Sequence, residues 1–136
     1  MGIRLDHIGI AVNDLEQGVK FWELLGLTTS KEVETNEEQG VKILFLSTTE
    51  GPSPDIELLE PTGPDTPIGQ FISKRGPGIQ QLAFEVDDIS QIISQLQSNG
   101  VEMIDEIPKI GAGGNKIAFV HPKSTGGVLV ELVEKK

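Results

Sequence analysis

The chain has 136 residues, 37% of them hydrophobic, with a net charge of −10 and no cysteine. That length suits one domain with a real core, and the missing cysteines exclude disulfides, thiolate nucleophiles and cysteine-based zinc sites. The acidic balance argues against a nucleic-acid binder, which wants a basic face, and no apolar run approaches the roughly 18 residues of a membrane span.

Leu5 to Val12 alternates, so Leu5, His7, Gly9 and Ala11 share one strand face and Ile8, Ile10 and Val12 the other. The N-terminus enters this strand without a signal-peptide layout, and a soluble cytoplasmic protein is the expectation. Asn13 or Asp14 can cap a helix whose buried stripe reads Leu15, Val19, Phe21, Trp22 and Leu25, ended by Gly26. Strands are predicted over Leu27–Thr35 and Val41–Ser47, joined by the acidic turn NEEQG. TTEGPSP reads as a loop, and Asp55–Glu60 as a strand closed by Pro61. PTGPDTPIGQFISKRGPG is a crossover with a short helix over Ile68–Lys74, too apolar to be a free linker. A strand over Ile79–Val86, a helix near Asp88–Ser98 and a strand near Val101–Ile107 follow. After them come the loop KIGAGGN and strands over Lys116–His121 and Gly127–Glu134. KIGAGGN superficially suggests a phosphate cradle, but no helix obviously follows to supply the N-terminal amides.

The second half repeats the first. LDHIGIAV returns as IQQLAFEV, and His7 and Gln81, Asp14 and Asp88, Gly26 and Gly100, and Glu57 and Glu131 are each separated by 74 residues. Two βαβββ units result, of about 1–62 and 76–136 with a crossover over 63–75, forming a single domain. The fold class is α+β, two paired modules forming a curved mixed sheet. There is no Walker loop, nucleophile elbow or HExxH.

The repeat also reaches chemistry. Glu57 and Glu131 sit inside apolar strand runs, where a lone carboxylate is costly unless paired or coordinated. With His7 and Gln81 they form four donors at matched positions, suited to divalent ions of the Mn to Zn series. Gln81 is the weakest donor, an amide oxygen. Glu37 and Glu38 in the turn are secondary candidates, and His121 in the HPKS turn reads as a loop hydrogen-bonder.

DHIGIAV with DLEQGVKFW, the turn NEEQGV, ELLEP, PDTPIGQFI and KIGAGGNKIAFVHPKSTGGVLVEL resemble the vicinal oxygen chelate superfamily over nearly the whole chain. Within it the resemblance is closest to the methylmalonyl-CoA epimerase family. DHIGIAV is shared widely, whereas NEEQGV, TPIGQFI and HPKSTGGVLVEL together are more specific. The resemblance implies paired modules around one divalent ion (Co, Mn, Ni or Zn) held by His7, Glu57, Gln81 and Glu131. It also implies methylmalonyl-CoA as substrate, Glu38 and Glu131 as the acid/base residues, and a homodimer.

Two departures stand out. Epimerases commonly read GIHHIAF where this chain has GIQQLAF, and often carry Gln where Glu57 stands. With one imidazole and three oxygen donors, Co or Mn is the favoured ion. The donor set also looks like a glyoxalase I site with its halves exchanged. The rival readings are therefore a lactoylglutathione lyase and a metal-free binding module of the same fold. An extradiol dioxygenase would want two histidines and a carboxylate on iron, but His121 is misplaced for that. Lys109, Lys116 and Lys123 are the partners the resemblance suggests for the CoA tail.

Overall fold

The structure is a computed structural model that describes residues 2–29, 32–48 and 54–136. Its contacts divide the chain into two compact units, residues 7–80 and residues 1–6 with 81–136. Most of the expected loop TTEGPSP lies outside the described residues. Among these residues no helix is long and apolar enough to cross a membrane.

The unit of residues 7–80 begins within β1 (Arg4–Ala11), whose residues His7–Ala11 pair in parallel with β5 (Asp55–Pro61). β5 pairs antiparallel with β4 (Val41–Ser47), and β4 also holds the short strands β2 (Thr28–Thr29) and β3 (Glu34–Asn36). The expected strand over 27–35 is thus two pieces. Asp14 caps the following helix by accepting from Glu16 N at 2.8 Å.

That helix is split into α1 (Leu15–Gly18) and α2 (Lys20–Leu25), and its apolar stripe is narrower than expected. Leu15 is buried, and Val19 and Trp22 pack on the core of Val12, Leu44, Leu46 and Leu58. Phe21 and Leu25, expected in the stripe, are 61% and 62% exposed. Helical period explains this correction. Val19 and Trp22 lie within about 40° of Leu15 around the axis, whereas Phe21 and Leu25 lie roughly 80–120° off it. A Cβ on Gly18 would meet Val12 Cγ1 at 2.9 Å, so glycine permits the close approach of helix to strand.

The crossover is packed, as its composition requires. α3 (Pro67–Arg75) is capped by Thr66 Oγ1, which accepts from Gly69 N at 3.1 Å, and Pro67 occupies the first turn. Ile68 and Gly69 are buried, and a side chain on Gly69 would collide with the Gly63 carbonyl.

In the other unit, β6 (Gly78–Glu85) pairs in parallel with β9 (Val130–Glu134) through Leu82–Glu85. β9 pairs antiparallel with β8 (Lys116–Val120), and β8 with β7 (Lys109–Ile110). α4 (Ile89–Ser98), capped by Asp88, buries Ile89 and Ile93 against Met103, Ala118, Val120 and Leu132. Burial of each such side chain stabilises by about 1.5–3 kcal/mol.

The strand expected near Val101–Ile107 is absent. Met103 forms a single bridge to Val120, and Asp105 Oδ2 accepts from Phe119 N at 2.9 Å, replacing the next backbone bond. Pro108 has no N–H to extend a ladder. The last strand starts at Val130 rather than Gly127, because Gly126 and Gly127 turn the chain at φ 85° and 110°. Strand order β6-β9-β8-β7 in this unit thus parallels β1-β5-β4-β2 in the other.

Candidate metal and acid/base site

Each unit supplies one pair of buried donors by the same geometry. Glu57 on β5 lies opposite Gly9 in register, and His7 stands two residues before Gly9, on the same strand face. Glu131 on β9 lies opposite Ala83, and Gln81 stands two residues before Ala83. The exposures are 5% for His7, 6% for Glu57, 7% for Gln81 and 6% for Glu131. They are the four buried polar residues among those described.

His7 Nδ1 lies 3.1 Å from Glu57 Oε2. A lone pair and a carboxylate approach this closely only with a proton or cation between them. Gln81 Nε2 donates to Glu131 Oε1 at 2.6 Å, which turns the amide nitrogen to the carboxylate. Each unit thus carries a donor pair of a kind that suits a cation, an imidazole with a carboxylate in one and an amide with a carboxylate in the other, and side chains this buried are not ordinary solvated charges. Phe45 lies opposite Glu57 and Phe119 opposite Glu131 on the adjacent strands, 74 residues apart. Their apolar surface beside each carboxylate lowers the local dielectric and strengthens its interactions. The sequence reading missed this pair, although the repeat offset marks it.

Glu38 lies in the turn between β3 and β4 and is exposed, as is Glu37. Asn36 Oδ1 accepts from Gln39 N at 3.0 Å, and Gly40, at φ 67°, closes the turn. The repeat counterpart of Glu38 is Ala112, in the short 3-10 turn Ala112–Gly114. One unit therefore presents an acid where the other presents a methyl group.

His121 acts within its loop, its Nδ1 accepting from Lys123 N at 3.1 Å. The three lysines considered for a CoA tail each face a carboxylate. Lys109 lies 3.2 Å from Asp105, Lys116 3.9 Å from Glu134 and Lys123 3.0 Å from Glu102. Hydrogen bonding and charge from Lys123 hold the Glu102 carboxyl below its usual value, with His121 adding a smaller pull against the opposing effect of burial.

The sequence pattern of the Glyoxalase/Bleomycin resistance protein/Dioxygenase superfamily matches residues 6–119. The chain belongs to this superfamily. The human mitochondrial methylmalonyl-CoA epimerase is 39% identical over 131 residues, spanning 95% of this chain and 72% of that one. The crystal structure of methylmalonyl-CoA epimerase from Mycobacterium tuberculosis superposes with a TM-score of 0.90 at 40% identity, covering 97% of this chain and 87% of that one. A methylmalonyl-CoA epimerase in complex with methylmalonyl-CoA and NH4+ gives a TM-score of 0.89 at 38% identity, over 97% of this chain and 94% of that one.

Proposed function

We propose that this chain is an epimerase that interconverts (2R)- and (2S)-methylmalonyl-CoA. The observation that carries the reading is the pair of buried donor pairs at repeat-related positions, in a chain whose relatives bear that name. His7, Glu57, Gln81 and Glu131 would together hold one divalent ion. With a single nitrogen donor, Co or Mn is favoured over Ni or Zn more than in a two-histidine site. When bound, the ion supplies electrophilic stabilisation to the thioester oxygen as negative charge develops there.

The chain's own residues carry the proton. A carboxylate is a weak base for a proton α to a thioester, so its position against the reacting carbon is what matters. One carboxylate removes the α-proton, and the C–H electron pair moves into the thioester carbonyl to give the enolate. The second glutamate, present as the carboxylic acid, delivers its own proton to the opposite face, which inverts the centre and leaves it as the carboxylate. Glu38 and Glu131 take these roles, each serving as base in one direction and acid in the other.

We also propose a homodimer. Phe21, Leu24 and Leu25 on α2 are 61%, 88% and 62% exposed, whereas the repeat-related positions are Gln95 and Ser98 on α4 and Asn99 just after it. The fold therefore does not demand apolar residues there. Lys20 and Glu23 on the same helix give a second copy both signs of charge to meet in a two-fold contact. The cytoplasm is the chain's proposed location.

The test is proton NMR of pure (2R)-methylmalonyl-CoA in deuterium oxide with the metal-loaded protein. Loss of the α-proton signal with appearance of the (2S) isomer is expected. No exchange, together with turnover of a glutathione hemithioacetal, would assign the chain to lactoylglutathione lyase chemistry instead.

A further inference from the structure

Three residues beyond each buried glutamate stands a second glutamate that the proposed chemistry does not use. Glu60 Oε1 accepts from Leu15 N at 2.9 Å, and Glu134 Oε1 accepts from Ile89 N at 2.9 Å. Each therefore takes the first N–H of the helix in its own unit, a group that has no partner within the helix. The same two carboxylates face the cross-strand lysine, with Lys42–Glu60 and Lys116–Glu134 both at 3.9 Å. All three members of one constellation recur in the other at a spacing of 74 residues. In both units the aspartate before the helix caps a different amide, that of Glu16 or Gln91, so the glutamate is not a redundant cap.

Strand alternation gives the arrangement a consequence. Leu132 and Glu134 point to the helix side of β9, where Leu132 packs with Ile89. Glu131 and Val133 point to the other face. A strand bonded at its end to a helix whose first residue is 1% exposed cannot roll or slide without breaking that bond or opening the core. β5 stands in the same relation to Leu15, with Leu58 and Glu60 on one face and Glu57 and Leu59 on the other.

We infer that Glu60 and Glu134 are positioning residues that hold Glu57 and Glu131 in place through the strand that carries each pair. The consequence for metal binding rests on the proposed ligand set, but the positioning itself does not.

The experiment uses the full chain with Glu134→Leu, which removes the acceptor, and Glu134→Gln, which keeps an oxygen for Ile89 N and removes the charge. The first readout is the side-chain amide NMR signal of Gln81 in metal-free protein, since that amide donates to Glu131. It should shift and exchange faster in Glu134→Leu and stay at its wild-type position in Glu134→Gln. The second readout is calorimetric affinity for Co(II) alone, which should fall about 10–100-fold in Glu134→Leu and stay within about twofold in Glu134→Gln. Should Glu134→Leu not fold, Glu134→Asp is one methylene too short to reach Ile89 N yet keeps the charge. The counterpart Glu60→Leu is read on the His7 ring signals.

A Gln81 signal that stays put in Glu134→Leu or Glu134→Asp, whatever the loss in melting temperature, overturns the inference and leaves a merely structural cap. Absence of Co(II) binding in the wild type would instead overturn the metal site, with the positioning still decided by the Gln81 signal.

Discussion

Gln81 donates a side-chain N–H to Glu131 across 2.6 Å, with both residues buried. This bond orients the amide, and under the proposed ligand set the pair would offer oxygen rather than nitrogen to a cation. Gln81→His should tighten Zn or Ni binding about tenfold or more relative to Mn, because imidazole is the stronger donor for those ions. Competitive titration against a chelating dye measures the ratio. An unchanged ratio would remove Gln81 from the ligand set.

Metal should stabilise the fold by binding the native chain alone. At 100 times its dissociation constant an ion contributes about 2.7 kcal/mol, which for a chain of this size raises the melting temperature by on the order of 10 °C. His7→Ala should abolish that increment. Calorimetric scans with and without Co(II) or Mn(II) decide it, and identical wild-type scans would count against a metal site.

Glu38→Gln keeps the size of the side chain and removes the base, so epimerisation should drop by about 10²–10⁴-fold. With Glu131 intact, one stereoisomer should still exchange its α-proton with deuterium oxide and retain configuration. The other should be nearly inert. Equal exchange from both isomers, seen by NMR, would take Glu38 out of the mechanism.

Leu24, 88% exposed on α2, is the most direct probe of the proposed dimer. Leu24→Glu buries like charges against each other in a two-fold contact and should give a monomer by sedimentation velocity at micromolar concentration. A dimer that persists in this variant places the interface elsewhere.

The Glu102 carboxyl, held low chiefly by its hydrogen bond and charge pairing with Lys123, gives a pH dependence of defined sign. Its folded value lies below the unfolded one. The stabilisation is therefore present above the unfolded value and is lost as pH falls through the folded value. Glu102 is exposed, so the effect is small. Glu102→Gln should lower the melting temperature slightly at pH 7 and not at all at strongly acid pH. A constant difference across that range would deny the ion pair its role.

Much of this protein is local information. The alternation in Leu5–Val12 and Ile79–Val86 names the strands, and Asp14 and Asp88 announce the helices. The 74-residue spacing by itself picks out His7, Glu57, Gln81 and Glu131. A strand's two-residue period and a helix's 3.6-residue period are properties of a single segment, so they survive in the sequence alone. Pairing between distant segments does not.

Only the tertiary structure decided that Glu131 meets the nitrogen of Gln81, that Phe45 and Phe119 lie beside the buried carboxylates, and that Glu60 and Glu134 reach Leu15 N and Ile89 N. It also decided that Phe21 and Leu25 face outward, and that the segment near Val101–Ile107 keeps only a short bridge to β8, where the Asp105 carboxylate accepts from Phe119 N. Each of these depends on which element lies alongside and in what register. Such contacts join residues up to 50 positions apart, and their partners are set by the packing of the whole core rather than by the pattern of any one stretch.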